Sequence, residues 1–469
     1  MDIKIAPEKK SSILGNLAQF FHFRALAFKS VREGDLEQAL RNVVRAIACI
    51  EPLAPPPFFH DPSIERCLIE IAQKLKPLFT EKISQKKSGK IRVAHISPIF
   101  VDGGGHASGF LGFLASHDPE RFEVKGYSLE YVGFGEAPQG YASFSDLLGP
   151  GVVKKIKDRP FPVYFFPPEL SYVDKIKALY QKLIEDQIEI AVVHAVTWET
   201  LSIVTALLEP GCRFVYLHIA DARLNVAPYL LEFHVDLCAN VSSPCQEKAK
   251  GKKQKFLTFP GLCDFGTLEA LDALPYSKEA LGLNASDLMV GTFGAQHKIY
   301  TPGNFDFLKF MKGLLEKIPN LHYFLLGVEV PYLNLPQVLS DFLGPSLNRR
   351  VHLLGMPQNF LRILKTVDLY IDSFPIGGGG TIYQAMACEK PILLRKYEEG
   401  TLTLSSWIKT EDALASSTDQ LLEKAVELLT NTDKRERLAL AIAKEFKTTL
   451  HPRKVIQQYE TFFERLRSE

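Results

Sequence analysis

The segment from Val367 to Cys388 constrains the fold more than any other. An apolar run, Val367-Asp368-Leu369-Tyr370-Ile371, ends in Asp372; the loop Gly377-Gly378-Gly379-Gly380-Thr381 follows, and Ile382 to Cys388 has a helical pattern. Strand, glycine loop and helix start in that order build an anion site. Glycines let the backbone approach a ligand, and the first N–H groups of the helix have no partner within it. The helix dipole adds partial positive charge at the same place. A diphosphate is the expected guest. Adjacent glycines also cost chain entropy, so a plain surface loop is the competing explanation.

The same grammar recurs along the chain. From Ile91 onward short apolar runs alternate with helical patterns, the mark of βαβ units and a parallel sheet. Strands are expected at Ile91–Ile96, Phe122–Tyr127, Ile188–His194 and Arg213–His218, with a helix over Thr200–Leu208. Val235–Asn240 is expected as the last strand of this half. Residues 263–286 are mixed. A second half then places strands at Leu288–Phe293, Leu321–Leu326, Val351–Leu354, Asp368–Asp372 and Pro391–Leu394, and a helix over Phe305–Ile318. The tail, Asp419–Arg467, reads as helical throughout. Ligands of such sheets sit at the carboxyl ends of the strands, and with two sheets the cleft between them is the expected site.

Ahead of Ile91 only helices are read. Leu17, Phe20, Phe21, Leu26, Ala27 and Val31, then Leu36, Ala39, Leu40, Val43, Val44 and Ile47, recur at helical spacing. Arg32-Glu33-Gly34-Asp35 between them is a helix stop followed by an N-cap. The result is a helical hairpin of tetratricopeptide type. The prolines from Pro52 to Pro57 end it, a third helix follows over about 62–79, and the lysine-rich stretch Glu81–Lys90 reads as a linker. Three blocks are therefore expected: an all-helical domain over 1–88, an α/β half over 89–265, and a second α/β half over 266–469 ending in helices. Length alone suggests about three domains.

Composition removes several classes. A net charge of +1 gives no general drive toward nucleic acid. The seven cysteines are odd in number and form no C-x-x-C pair, which argues against a disulfide framework or a zinc site and for a reducing compartment. The start, Met1-Asp2-Ile3-Lys4, lacks the apolar stretch of a signal peptide. No apolar run reaches about 18 residues, so no membrane span is read. A cytoplasmic protein is expected.

Further candidate residues lie at strand ends. Gly103-Gly104-Gly105-His106 follows the first strand, and His106 there can act as a base near neutral pH, donate to a phosphate, or merely cap the next helix. Gly294-Ala295-Gln296-His297-Lys298 opens the second half; Lys298 can neutralise a leaving diphosphate or simply be solvated. Gly355-Met356-Pro357-Gln358 can offer groups to a nucleobase edge or be a plain turn. Gln384, one turn into the helix after the glycine loop, can reach ribose hydroxyls or lie in solvent. His194, Trp198, Glu199 and His218 are candidates for an acceptor pocket, although an acid at Glu199 also favours a helix start. Gln246–Lys255, with five lysines, is most simply a solvated helix and loop. No cluster suits a catalytic metal and no D-x-D motif occurs. Positive charge for a diphosphate then comes from helix dipoles, backbone N–H groups and Lys298.

Four stretches together resemble a known family: Arg92–His106 with His117–Val124, Glu209-Pro210-Gly211 through Ser243-Pro244, Phe293–Pro302 with Ile318-Pro319-Asn320, and Leu369–Pro375 through the glycine loop to Ala387. The chain resembles GT-B glycosyltransferases, more closely the O-linked N-acetylglucosamine transferases and the related bacterial soluble N-glycosyltransferases. The resemblance implies two Rossmann-like doubly wound domains behind a helical domain. It implies an inverting, metal-independent transfer from a UDP-sugar to Ser/Thr or Asn of a protein, with no further cofactor. The family's reacting-centre histidine matches His106. Its pyrophosphate loop matches Gly378, Gly379, Gly380 and Thr381, and its base-contacting loop Met356 to Gln358. Gln296 matches the glutamine of the motif that carries the family lysine. That lysine falls three residues later, at Ile299, with Lys298 one residue before. The ribose-binding acid falls at Gln384, an amide. Retaining GT-B enzymes carry paired glutamates around this loop; here the positions are Ile376 and Gln384, which disfavours that class. The other classes to weigh are a non-catalytic GT-B-shaped partner subunit, binding through its helical N-terminal domain, and a nucleotide-sugar epimerase or hydrolase.

Overall fold

The computed structural model describes residues 7–50, 60–84, 89–98, 105–130, 162–219, 229–238, 254–262, 273–294, 296–300, 304–327, 334–355, 357, 359–374, 376–396 and 404–469. The chain divides into two compact units. The first comprises Met1–Leu237, Pro244–Phe259 and Tyr459–Glu469, and the second Cys238–Ser243 and Pro260–Gln458.

The first unit opens with helices α1 (Pro7–Glu33), α2 (Leu36–Ile50) and α3 (Pro62–Leu75). Gly34 stops α1 as expected. Its φ of +84° is left-handed, and the Asp35 N–H returns to the Ser30 carbonyl at 3.0 Å. The Asp35 carboxylate then accepts the Gln38 N–H at 2.9 Å and starts α2. Asp61 caps α3 by accepting from the N–H groups of Ser63 and Ile64, and pairs with Arg24 of α1. Asp61→Ala should therefore destabilise the protein by about 1–3 kcal/mol, read from urea unfolding, because it removes a cap and an ion pair together.

Helices α1–α3 do not keep a separate core. Phe20, Ile47, Leu68 and Ile71 lie in one apolar cluster with Ile96, Ile176, Val193 and Leu201 of the α/β part. The linker is also tied down where it is described: the Ile83 N–H bonds the Pro210 carbonyl at 2.8 Å.

Seven parallel strands form the first sheet: β1 (Ile91–Ser97), β2 (Phe122–Ser128), β3 (Val163–Phe165), β4 (Ile190–Ala195), β5 (Arg213–His218), β6 (Phe233–Asp236) and β7 (Lys255–Thr258). Their order is β3-β2-β1-β4-β5-β6-β7. Helices α4 (Gly105–Ser116), α5 (Tyr172–Glu185) and α6 (Leu201–Leu207) follow β1, β3 and β4. The inner strands are buried on both faces, so they read as continuous apolar runs. Two corrections concern the edges. The strand expected over Val235–Asn240 ends at Asp236 and is not the last; β7 lies beyond it. Strands β3 and β7 are short and partly exposed edge strands; β3 lies in an apolar run, Val163–Phe166, held between Pro162 and Pro167, and β7 opens on a charged residue. The lysine run Gln246–Lys255 falls outside the described residues up to position 253.

The second unit has six parallel strands: β8 (Leu288–Phe293), β9 (Leu321–Leu326), β10 (Val351–Leu353), β11 (Leu369–Ile371), β12 (Ile392–Arg395) and β13 (Leu414–Ala415), in the order β10-β9-β8-β11-β12-β13. Helices α7 (Gln296–Ile299), α8 (Asp306–Lys317), α9 (Leu335–Asn348), α10 (Phe360–Thr366) and α11 (Thr381–Ala387) alternate with them. The tail is not one continuous helix. It forms α12 (Thr418–Thr430), α13 (Thr432–Glu445) and α14 (Pro452–Ser468), because Asn431 caps α13 and Pro452 begins a new helix. The last residues of α14, from Tyr459, belong to the first unit. No helix among the described residues is long and apolar enough to cross a membrane.

Both sheets share one winding. Strand order runs outward one way from the first strand, then reverses, which puts a switch point between β1 and β4 and another between β8 and β11. Ligands of doubly wound sheets bind beyond the carboxyl ends of the strands at such points.

Candidate active site

In the second unit the switch point brings Lys298 and the glycine loop together. Asp372 follows β11 and is fully buried. Its carboxylate accepts the Gly378 N–H at 2.8 and 3.0 Å, one contact to each oxygen. The Tyr370 hydroxyl lies 3.4 Å from the same carboxylate and 3.2 Å from Oγ1 of Thr381. The Lys298 ammonium donates to the Gly377 carbonyl at 3.0 Å. A carboxylate thus ties down the start of the loop, and a tyrosine ties down the first residue of α11.

Gly378 has no room for a side chain. A Cβ there would stand 2.3 Å from Oδ1 of Asp372 and 3.2 Å from Oγ1 of Thr381. At Gly379 nothing lies within 4 Å, so the middle of the loop is open. Asp372 carries no role in the sequence analysis. The signal available was a polar residue closing an apolar strand directly before the glycines.

Burial raises the Asp372 carboxyl to about 7, opposed by the Gly378 N–H and the charge of Lys298. A raised carboxyl disfavours the charged form in the folded state. Its stabilising contribution is complete below the unfolded value near pH 4 and is lost as pH rises through about 7. The loss is at most about 4 kcal/mol. Asp372→Asn is expected to flatten this part of the stability profile, so that the melting temperature falls less between pH 5 and pH 8 than in the parent.

The other nucleotide-side candidates are placed unevenly. Gln296 begins α7 and is buried. Gln384 is buried in α11, not solvated. Gly380 is the N-cap residue of α11. Met356, Gln358 and the His297 side chain lie outside the described residues.

In the first unit His106 is the second residue of α4, just past β1. Its side chain is half-buried, and Nε2 lies 3.1 Å from the His194 carbonyl. A carbonyl only accepts, so Nε2 carries the hydrogen and Nδ1 the lone pair. Burial lowers His106 to about 4, against the hydrogen bond to His194 that favours the charged form. It is a neutral imidazole at pH 7. That charge state fits a base better than a cationic partner for phosphate.

The four acceptor-side candidates mostly turn inward. His194, Glu199 and His218 are buried, and Trp198 packs against the apolar cluster. Glu199 accepts the Ser202 N–H at 3.0 Å and so serves the first turn of α6. His218 lies at the end of β5 with Nδ1 at 2.8 Å from Oδ1 of Asp236, and Nε2 of His234 lies 2.9 Å from the same oxygen. Burial alone would raise the Asp236 carboxyl, but His234 and His218 beside it hold it well below the usual carboxylate range. These three groups, with ligand atoms within 4.8 Å of one another, are a donor set of the kind that holds a divalent ion. Tertiary pairing of β5 with β6 makes this cluster, which spacing along the chain did not reveal. Two imidazole N–H donors also satisfy the carboxylate without an ion.

Both units have the doubly wound α/β architecture of GT-B proteins. No protein-family model and no curated protein matches the chain. Solved structures do. A mutant of the O-GlcNAc transferase of Thermobaculum terrenum matches at 13% identity over 96% of this chain and 84% of that one, with a TM-score of 0.58. HepE of Anabaena, in complex with UDP and glucose, matches at 14% identity over 81% of this chain and 100% of that one, with a TM-score of 0.58. A glycosyltransferase from Rickettsia africae matches at 12% identity over 81% and 99%, with a TM-score of 0.60. At these identities the likeness is one of fold.

Proposed function

We propose that the protein is an inverting, metal-independent glycosyltransferase that moves a sugar from a UDP-sugar to a Ser/Thr or Asn side chain of a protein. The observation that carries this reading is the glycine loop at the β8/β11 switch point, clamped by Asp372 with Lys298 beside it. Two further facts support it: His106 is a neutral imidazole at the β1/β4 switch point, and the similar structures include an O-GlcNAc transferase and a UDP complex. In this reading Gly378–Thr381 and Lys298 receive the diphosphate, with Gln296, Met356, Gln358 and Gln384 around the nucleoside. The acceptor oxygen or nitrogen attacks the anomeric carbon, the bond to UDP breaks, and the acceptor proton passes to His106. The free cysteines Cys49, Cys67, Cys212 and Cys388 suit a reducing, cytoplasmic setting. The helical segment over 1–88 is the proposed contact for a protein partner.

The test is thermal stabilisation by UDP, GDP and ADP, each with and without a chelator. A ligand that binds only the folded state raises the melting temperature by mass action. UDP at about a hundred times its Kd should add about 2.7 kcal/mol, unaffected by the chelator. No shift with any nucleotide would favour a non-catalytic partner subunit, for which the buried amide Gln384 in place of an acid is the motivating residue. Release of UDP without any acceptor would favour an epimerase or hydrolase.

A further inference from the structure

Pairing of β5 with β6 sets Tyr216 beside His234 and His218 beside Asp236. Residues two apart on a strand share a face, so two imidazoles and a carboxylate project from one side of the sheet. His218 and Asp236 are the last residues of their strands, which puts the set at the carboxyl ends of β5 and β6. All three side chains are fully buried. Packing fixes the rings. His234 is flanked by Tyr216 of β5 and Phe256 of β7, with ring centroids at 4.9 and 4.8 Å and interplanar angles of 27° and 33°. The His218 ring stands 5.3 Å from that of His234, at 80°.

Both imidazoles meet the same oxygen. Nδ1 of His218 and Nε2 of His234 lie 2.8 and 2.9 Å from Oδ1 of Asp236. The other oxygen, Oδ2, is buried with no hydrogen-bond partner among the described residues. Burial alone would raise this carboxyl, but the two imidazoles hold it well below the usual range, so it is charged at neutral pH. Hydrogen bonds from the imidazoles therefore account for Oδ1 only. A buried carboxylate oxygen with neither donor nor cation is costly, which is reason to ask what it faces.

We propose that His218, His234 and Asp236 hold a structural zinc ion at the carboxyl ends of β5 and β6. Two imidazoles and one carboxylate suit a first-row divalent ion, whereas calcium and magnesium take oxygen ligands. The three ligand atoms lie within 4.8 Å of one another. Donors around a tetrahedral zinc stand roughly 3.3–3.5 Å apart, so the two contacts to Oδ1 need open by only about half an ångström to admit the ion. Each imidazole ligates through the nitrogen that faces Asp236, and its hydrogen moves to the other ring nitrogen, so both rings stay neutral. Water takes the fourth position of the ion. The ion ties one strand end to the next and supplies the charge that the carboxylate lacks. None of the three ligands is among the residues proposed to receive the diphosphate, so the proposal does not depend on the transferase reading and leaves that reaction metal-independent.

The test is the zinc content of the full chain, stripped with a chelator, reloaded with zinc sulfate and desalted. The parent should retain about one zinc per chain, and reloading should raise the melting temperature of the stripped protein where magnesium does not. Asp236→Asn keeps an acceptor oxygen for both imidazoles but removes the charge, and it should lose the zinc and the thermal response together. His322→Gln is the control for a second histidine pair, His322 and His352, whose Nδ1 and Nε2 lie 2.9 Å apart; it should load as the parent does. Where Asp236→Asn fails to fold, X-ray absorption at the zinc edge of loaded His322→Gln protein decides, with two imidazoles, oxygen and no sulfur expected around the ion. A parent that retains no zinc, a folded Asp236→Asn protein that loads like the parent, or a sulfur ligand would overturn the proposal. The transferase reading is judged apart from this, by the increment in melting temperature that UDP adds.

Discussion

Alanine at position 106 is expected to reduce sugar transfer by about 10²–10⁴-fold, the range usual for a positioned general base. Stabilisation by UDP should be unaffected, because the proposed diphosphate site is built from the glycine loop and Lys298. The pH dependence sharpens the test. His106 is held down to about 4 by burial, so it is already neutral across the physiological range. Activity should not rise through pH 6–7 as it does with an ordinary histidine base. A variant with parental transfer rates would remove His106 from the mechanism.

The second large effect is expected at Gly378. A methyl group there must displace the Asp372 carboxylate, whose oxygen stands 2.3 Å from the added atom. That carboxylate is buried and accepts the Gly378 N–H, so moving it leaves a buried donor unsatisfied. Gly378→Ala should therefore destabilise the protein by about 1–3 kcal/mol and abolish stabilisation by UDP at concentrations that saturate the parent. Gly379→Ala is the control for the fold: with nothing within 4 Å, its melting temperature should stay near the parental value. Equal melting temperatures in the two variants would show that the clamp by Asp372 does not set the loop.

Inner strands were the legible part of the fold. Arg213–His218, Leu288–Phe293 and Leu321–Leu326 fall where their apolar runs place them. They are buried on both faces, so burial writes itself into consecutive residues. Edge strands were less legible: Lys255–Thr258 is partly exposed and opens on a charge, and Val163–Phe165, although apolar, is only three residues long between Pro162 and Pro167. Local backbone chemistry was equally readable. Gly34 ends α1 because only a left-handed residue closes that turn, and Asp35 starts α2 because its carboxylate accepts the Gln38 N–H. Lys298 and the glycine loop were read separately as anion-binding features, and β8 lying beside β11 is what puts them together.

The sequence by itself determined what depends on neighbours along the chain: two rounds of strand and helix, the stop at Gly34, and a glycine loop opening a helix. Each follows from periodicity or from the backbone freedom of a few consecutive residues. Only the tertiary structure decided which distant polar groups meet. His95 meets His194 across the β1/β4 pair, Glu460 reaches His117 from the far end of the chain, and Asp236 joins His218 to His234. Asp372 turns back onto Gly378 across a short turn, but its buried state comes from the packed sheet around it. A buried polar group must find its hydrogen-bond partner in space, and that partner's place in the sequence is set by strand order, which no local pattern encodes.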